Sequence, residues 1–159
     1  MNNYYIDPSA QENGTGTIDS PYNSWSVLGV ISPDFPFSIN IKRGTSERIN
    51  LSYSTLRNLV SDSDEQSFIK PYGIGSNPVI IQDSPNLEAL SLVLRKTSVI
   101  CIDGRTNEVA QNADLFVISA LASEGDESVD CYFFGCNVRS NQYCMQSQYT
   151  KGFNVVANR

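Results

Sequence analysis

Carboxylates are the side chains best suited to acid–base or metal chemistry in this sequence, because it contains no histidine. That absence excludes Ser-His-Asp and Cys-His nucleophile systems, histidine general bases and histidine zinc sites. Asp114 and Asp130 are sixteen residues apart. Stacked on neighbouring strands they would lie about 4.8 Å apart, close enough to share a proton or a calcium ion.

We therefore treat Asp114 and Asp130, together with Asp103, as candidate catalytic residues, and Asp114 and Asp130 as candidate calcium ligands. We expect no cofactor unless Asp114 and Asp130 bind calcium. The alternative, which we favour, is that the two aspartates begin strands and face solvent at turns.

The overall charge restricts the partners of the chain. Its 159 residues include 11 Lys and Arg against 17 Asp and Glu, for a net charge of −6. Such a surface repels a phosphate backbone, so we expect no nucleic-acid partner. The sequence has no run of 18 apolar residues, and we expect no membrane span. Four cysteines without a Cys-x-x-Cys pair favour buried free thiols over disulfides or a metal site.

The elements that position these residues are predicted to be short strands, with one exception. Asp19 or Ser20 as the cap, Pro21 in the first turn, and Trp25, Leu28 and Ile31 at helical spacing predict a short amphipathic helix. After it, short apolar segments alternate with Gly, Asn, Asp, Ser and Pro. The predicted strands are residues 37–42, 49–53, 67–71, 78–82, 90–94, 98–102, 115–119, 129–134 and 153–156.

A sixteen-residue repeat predicts how these strands associate. The repeated apolar pairs are Ile100 and Ile102, Phe116 and Ile118, and Tyr132 and Phe134. This spacing is too short for a helical crossover, so it favours parallel strands stacked as successive coils. At the first two sixteen-residue intervals after Asp103 and after Arg105, the sequence has no charged residue. We expect glycines 44, 73, 75 and 104 at the corners between strands.

Several motifs, in order, resemble the right-handed parallel β-helix proteins of the pectate-lyase-like superfamily. The segments that carry the resemblance are Tyr4-Tyr5-Ile6-Asp7-Pro8, Gly14-Thr15-Gly16-Thr17, Ser20-Pro21-Tyr22, Ile41-Lys42-Arg43-Gly44, Tyr72-Gly73-Ile74-Gly75, Val99-Ile100-Cys101-Ile102-Asp103-Gly104 and Phe134-Gly135-Cys136-Asn137. The resemblance implies an all-β right-handed parallel β-helix, a solenoid with a short N-terminal capping helix and no C-terminal cap. Residues 1–36 would form the first strand, turn and capping helix, and residues 37–159 the coils of a longer solenoid.

The same resemblance implies a polysaccharide as partner. We expect a module of a bacteriophage tailspike-like protein that recognises or degrades bacterial surface glycans, as a lyase or glycoside hydrolase if it is catalytic. The alternatives are a non-catalytic structural or adhesin segment, and the N-terminal portion of a secreted pectate-lyase-like lyase. Tailspikes are usually trimers, so a homotrimer or further coils at the C-terminal end are expected. The location would be the virion tail, or extracellular with the leader missing from this chain.

Sugar binding requires aromatic faces that stack on sugar rings and polar groups that bond their hydroxyls. The candidate substrate-binding residues are Tyr72, Arg139, Tyr143 and Tyr149. Each is equally interpretable as an ordinary turn or surface residue.

Overall fold

The computed structural model of the chain describes residues 1–49, 65–82 and 97–106, and the strands at 117–119, 128–134, 137–139, 146–148 and 150–156. Short strands dominate these residues. In chain order they are β1 (Asn2–Ile6), β2 (Phe37–Lys42), β3 (Ser46–Ile49), β4 (Ser67–Tyr72), β5 (Val79–Gln82), β6 (Thr97–Ile100), β7 (Asp103–Thr106), β8 (Val117–Ser119), β9 (Ser128–Phe134), β10 (Asn137–Arg139), β11 (Gln146–Gln148) and β12 (Thr150–Val156).

The strands form three sheets, and every strand pair within them is parallel. The six-stranded sheet has the order β1-β2-β4-β6-β9-β12, the four-stranded sheet β10-β7-β5-β3, and the two-stranded sheet β11-β8. Residues Ile39 and Ile69 are register partners and are both fully buried. Ile6 and Ile41 form a second buried pair at a neighbouring register. Alternation along the strands therefore directs one face of the six-stranded sheet into the core.

The free edge of β1 is covered by the segment that follows it. Tyr5 N donates to Gly16 O at 2.8 Å, and Tyr22 N donates to Tyr5 O at 2.9 Å. Gly16 has a φ of +84°, and a Cβ on it would lie 2.3 Å from the Tyr22 ring. Only glycine satisfies both conditions at this position. This contact satisfies backbone groups that an edge strand would otherwise leave unpaired.

The predicted N-terminal capping helix is wrong in type and in its start. Trp25–Gly29 is one turn of 3-10 helix, and its N-cap is Ser24, whose Oγ accepts from Ser26 N. Pro21 and Tyr22 cannot join a helix because Tyr22 forms a parallel bridge with Ile6 at the sheet edge. The predicted apolar face is confirmed in part, since Trp25 and Leu28 are each 1% exposed, whereas Ile31 lies beyond the 3-10 helix and is only half-buried.

The predicted fold class is therefore corrected. In place of an all-β right-handed parallel β-helix with a capping helix, the described residues form three separate open sheets, with no closed or solenoid sheet and no α-helix. The expected uncapped end concerns residues 157–159, which lie outside the described residues. None of the helices in the described part is long and apolar enough to span a membrane.

The sixteen-residue repeat is also wrong. One register of the six-stranded sheet holds Ile39, Ile69, Val99, Phe133 and Val155, which are spaced by 30, 30, 34 and 22 residues. Ile118 lies in a different sheet, where it pairs with Ser147. Because strands of other sheets intervene between neighbours, the apolar pairs that recur every sixteen residues do not all stack on one another.

Two of the predicted corner glycines, Gly44 and Gly75, lie in turns whose backbones are in contact. Gly44 and Gly75 have φ values of +75° and +131°, and Gly44 N donates to Ser76 O at 2.9 Å. A Cβ on Gly75 would lie 3.2 Å from Gly44 N, so the two turns approach at backbone distance. Gly104 is not at a corner but inside β7.

Candidate functional site

The outer face of the six-stranded sheet combines aromatic, charged and buried polar side chains. It consists of the residues of β1, β2 and β4 that alternate with the buried isoleucines. At one register Tyr5, Asn40 and Lys70 are partners on adjacent strands, and Lys42 pairs with Tyr72 two residues further along. Parallel, in-register pairing thus assembles a surface from segments that are far apart in the sequence.

Two tyrosines form the centre of this surface. The ring centroids of Tyr5 and Tyr72 are 5.2 Å apart and their planes are inclined at 86°, an edge-to-face pair. Both side chains are half-buried. In this geometry one ring contributes only its edge, so both of its faces lie outside the contact. Burial, followed by the nearby negative charge of Asp7, raises the pKa of Tyr72, which keeps its hydroxyl protonated as a hydrogen-bond donor.

A short ion pair lies beside the tyrosines. Lys42 Nζ is 2.6 Å from Asp7 Oδ2, and the side chains are 44% and 10% exposed. Burial raises the pKa of the Asp7 carboxyl, but hydrogen bonds from Lys42 and Ser9 outweigh it, and the net pKa is lowered. The hydrogen bond to Asp7 in turn raises the pKa of Lys42. Both groups are therefore charged at neutral pH. Tyr5, Tyr72, Lys42 and Asp7 are called the Tyr5–Tyr72 cluster below.

Two polar side chains of β2 on this same face are buried rather than exposed. Asn40 is 5% exposed, and its Nδ2 donates to Tyr4 O at 3.2 Å and to Ser38 O at 3.1 Å. Ser38 is fully buried, and its Oγ donates to Asn40 Oδ1 at 3.2 Å. These groups are satisfied within the protein, so they hold β1 and β2 in register rather than bind a ligand.

The surface continues toward the start of β4 with a further aromatic residue. Lys70 Nζ lies 5.6 Å from the centroid of the Phe68 ring, within cation–π range. Phe68 and Lys70 are both half-buried, and Phe68 pairs in register with the buried Ser98 of β6. An aromatic ring with a cation beside it therefore occurs at each end of β4.

The sequence-predicted site residues are only partly placed. Tyr72 lies in the Tyr5–Tyr72 cluster. Asp103 lies in β7, Asp130 in β9 and Arg139 in β10, where Arg139 is the register partner of Arg105. Asp114, Tyr143 and Tyr149 lie outside the described residues, and with Asp114 so does the predicted Asp114–Asp130 pair.

The sequence reasoning missed Tyr5, Lys42 and Asp7, although all three belong to the quoted motifs. Their shared position follows from pairing of β2 with both β1 and β4, which no local pattern reveals. It also missed that Arg105 and Arg139 repeat a charge at one register, because the sixteen-residue phase aligned Arg105 with other residues.

Metal ligands are not assembled in the part of the chain that the structure describes. No group of three or more Cys, Asp or Glu residues there could hold a metal ion. Cys101 is a free, half-exposed thiol. The Asp7 carboxylate accepts hydrogen bonds from Lys42 and Ser9.

No protein-family model, curated protein or solved structure matches the chain. The resemblance to pectate-lyase-like proteins therefore rests on the quoted sequence motifs alone.

Proposed function

We propose that the chain is a polysaccharide-binding module and that the Tyr5–Tyr72 cluster contacts the sugar. The observation that carries the proposal is the edge-to-face tyrosine pair, which contains a residue predicted from sequence and lies beside a charged Lys–Asp pair. Tyrosine offers a ring face to the apolar side of a sugar and a hydroxyl to its polar edge. Carbohydrate sites combine such faces with a few fixed polar groups.

The chemistry of the surrounding groups supports the same role. Lys42 supplies ammonium donors and is 44% exposed, whereas Asp7 is largely covered and holds the Lys42 ammonium in place. The protonated Tyr72 hydroxyl adds a donor and an acceptor. Asn40 and Ser38 hold β1 and β2 in register, so little ordering is required when a ligand binds. Bacterial surface glycans are the ligands to test first, because the sequence motifs resemble tailspike-like proteins.

The proposal is tested by affinity electrophoresis or calorimetry with bacterial capsular polysaccharides and neutral glucans. Loss of a stacking ring in Tyr72→Ala weakens binding by about five- to tenfold, corresponding to about 1 to 1.4 kcal/mol. Tyr72→Phe keeps the ring and retains most of the affinity. Ile74→Ser, two residues away and fully exposed, is the matched control and leaves binding unchanged.

Two results would contradict the proposal. One is the absence of binding across the panel by the folded wild-type protein. The other is an affinity for a bound polysaccharide that Tyr72→Ala leaves unchanged. The same incubations, assayed for new reducing ends and unsaturated sugars, separate binding alone from depolymerisation.

A further inference from the structure

The segment that covers the edge of β1 folds back on itself as two backbone arms. Gly14 N on the first arm donates to Pro21 O on the second at 2.9 Å. A Cβ on Gly14 would lie 2.2 Å from Ser20 O, so the two arms approach at backbone distance. The backbone N–H and C=O of Tyr5 hold the arms against β1. Residues 13–23 are called the cover segment below.

The cover segment contains a dipeptide with its own chemical reactivity. Asn13-Gly14 is the single Asn-Gly sequence in the chain. In such a dipeptide the glycine nitrogen can attack the carbonyl carbon of the asparagine side chain, because glycine has no Cβ to hinder the approach and its backbone adopts many conformations. Asn13 is exposed, so water reaches its carboxamide.

The reaction is deamidation through a cyclic imide. The Gly14 nitrogen forms a bond to Cγ of Asn13, and the bond from Cγ to the side-chain nitrogen breaks. That nitrogen leaves as ammonia and takes the proton of the Gly14 N–H. Water then opens the ring at either of its carbonyls. One opening gives aspartate, and the other gives isoaspartate, whose main chain is longer by a methylene group.

Two hydrogen bonds of the fold oppose this reaction. Asn23 N donates to Asn13 Oδ1 at 3.2 Å and holds the carboxamide against the opposite arm. Gly14 N, the attacking atom, donates its proton to Pro21 O. The attack requires the carboxamide to turn towards Gly14 N and requires that nitrogen to lose its proton. Both hydrogen bonds must therefore break, which is a local opening of the cover segment.

We propose that Asn13 is a deamidation site that the folded cover segment protects and that reacts when this segment opens. The inference is independent of the proposed function. The isoaspartate product prevents the segment from closing again, because its added methylene displaces Gly16 relative to β1. Gly16 has no space for this shift, since it has a φ of +84° and lies against the Tyr22 ring. The aspartate product keeps the backbone and retains an acceptor for Asn23 N.

Peptide mapping by mass spectrometry tests the protection. The full chain is incubated at mildly alkaline pH in native buffer and in urea, and deamidation of Asn13 is followed over time. The folded protein deamidates at least about tenfold more slowly than the unfolded protein, which corresponds to about 1.4 kcal/mol for the local opening. Equal rates in the two conditions overturn the proposal, and so does the absence of deamidation in urea.

Gly16→Ala opens the cover segment without changing the reacting dipeptide. Its Cβ would lie 2.3 Å from the Tyr22 ring at a φ of +84°. We expect deamidation of Asn13 in native buffer to accelerate by about fivefold, or about 1 kcal/mol. Gly73→Ala is the matched control, because Gly73 has a φ of +76° and no atom within 4 Å of its added Cβ. It introduces the same backbone strain in another turn and leaves the rate unchanged.

Thermal unfolding shows whether each variant is folded at the incubation temperature. If Gly16→Ala is unfolded there, the comparison of folded and urea-unfolded wild type still decides the proposal. Equal acceleration by folded Gly16→Ala and Gly73→Ala overturns the assignment of the reaction to opening of the cover segment.

The isoaspartate product gives a second readout. Aged protein with isoaspartate at position 13, separated by chromatography, has a lower urea midpoint than Asn13→Asp, which has the same charge and an unchanged backbone. Equal midpoints would overturn the claim that isoaspartate prevents the cover segment from closing.

Discussion

Glu47 connects β3 to the 3-10 helix, and its substitution tests whether the carboxylate serves as a hydrogen-bond acceptor or as a charge. Trp25 N donates to Glu47 Oε2 at 2.8 Å, and Ser24 Oγ donates to Oε1. Burial raises the pKa of Glu47, and these two hydrogen bonds only partly oppose that effect. The acceptor atoms thus stabilise the fold, whereas the buried negative charge destabilises it.

The magnitude follows from the groups that lose a partner. Glu47→Ala leaves the N–H of Trp25 without its acceptor, at a cost of about 1–3 kcal/mol. Removal of the buried charge offsets part of this cost, and Ser24 has Ser26 as another partner. We expect a net loss of about 1.5 kcal/mol and a decrease in Tm of about 3–6 °C. Glu47→Gln keeps an acceptor for Trp25 and a donor for Ser24, so its stability at neutral pH equals or exceeds that of wild type.

The sign of the pH dependence gives a second measurement. A carboxyl with a raised folded-state pKa stabilises the protein below its unfolded-state pKa, and this contribution is lost as the pH rises through the folded-state value. Wild type therefore gains stability relative to Glu47→Gln as the pH falls from about 7 to about 4.

Urea unfolding followed by the fluorescence of Trp25, the single tryptophan and 1% exposed, measures both effects. The exposed Glu12→Ala is the control and changes stability by less than about 0.5 kcal/mol. Equal destabilisation by Glu47→Gln and Glu47→Ala would refute the assignment of Glu47 as an acceptor whose charge is unfavourable.

Three further substitutions test other parts of the structure. Asp7→Asn lowers the urea midpoint at neutral pH. The difference from wild type disappears in acid, because a carboxyl with a lowered folded-state pKa stabilises the protein above its unfolded-state pKa and loses this contribution as the pH falls through the folded-state value. A pH-independent difference would contradict the ion pair with Lys42. Cys101, with a φ of +50°, is strained, so Cys101→Gly stabilises by about 0.5–1 kcal/mol in thermal unfolding. Ile69→Ala removes a fully buried side chain and costs about 2–5 kcal/mol in urea unfolding, whereas the same change at the fully exposed Ile74 has little effect.

The apolar strands were predictable because burial leaves a local pattern. Phe37–Lys42 was predicted with its exact bounds, and Val79–Gln82 within one residue at its start. Strand β3 shares only Ile49 with the predicted strand 49–53, and three short strands escaped prediction altogether, with the sequences Asp-Gly-Arg-Thr, Asn-Val-Arg and Gln-Ser-Gln. They show no apolar alternation, and β7 and β10 pair with each other and β11 with β8 in parallel register.

The candidate site, like the strands, was only partly predictable from the sequence. Tyr72 was among the candidate sugar-binding residues, but no motif distinguished it from Tyr143 and Tyr149. Its partner Tyr5 is 67 residues away in sequence and two strands away in the sheet, so no spacing rule connects them. The sixteen-residue phase failed for the same reason, since it assumed that consecutive apolar segments stack directly on one another.

The sequence by itself determined the composition of the surfaces: an acidic chain without histidine, rich in short apolar segments and glycine turns. Local chemistry suffices for these properties, because charge, burial and φ preference belong to individual residues and their near neighbours. The tertiary structure decided which residues meet. Parallel register brings Tyr5 to Tyr72 and Arg105 to Arg139, since it depends on pairing between segments that the chain separates by 30 or more residues.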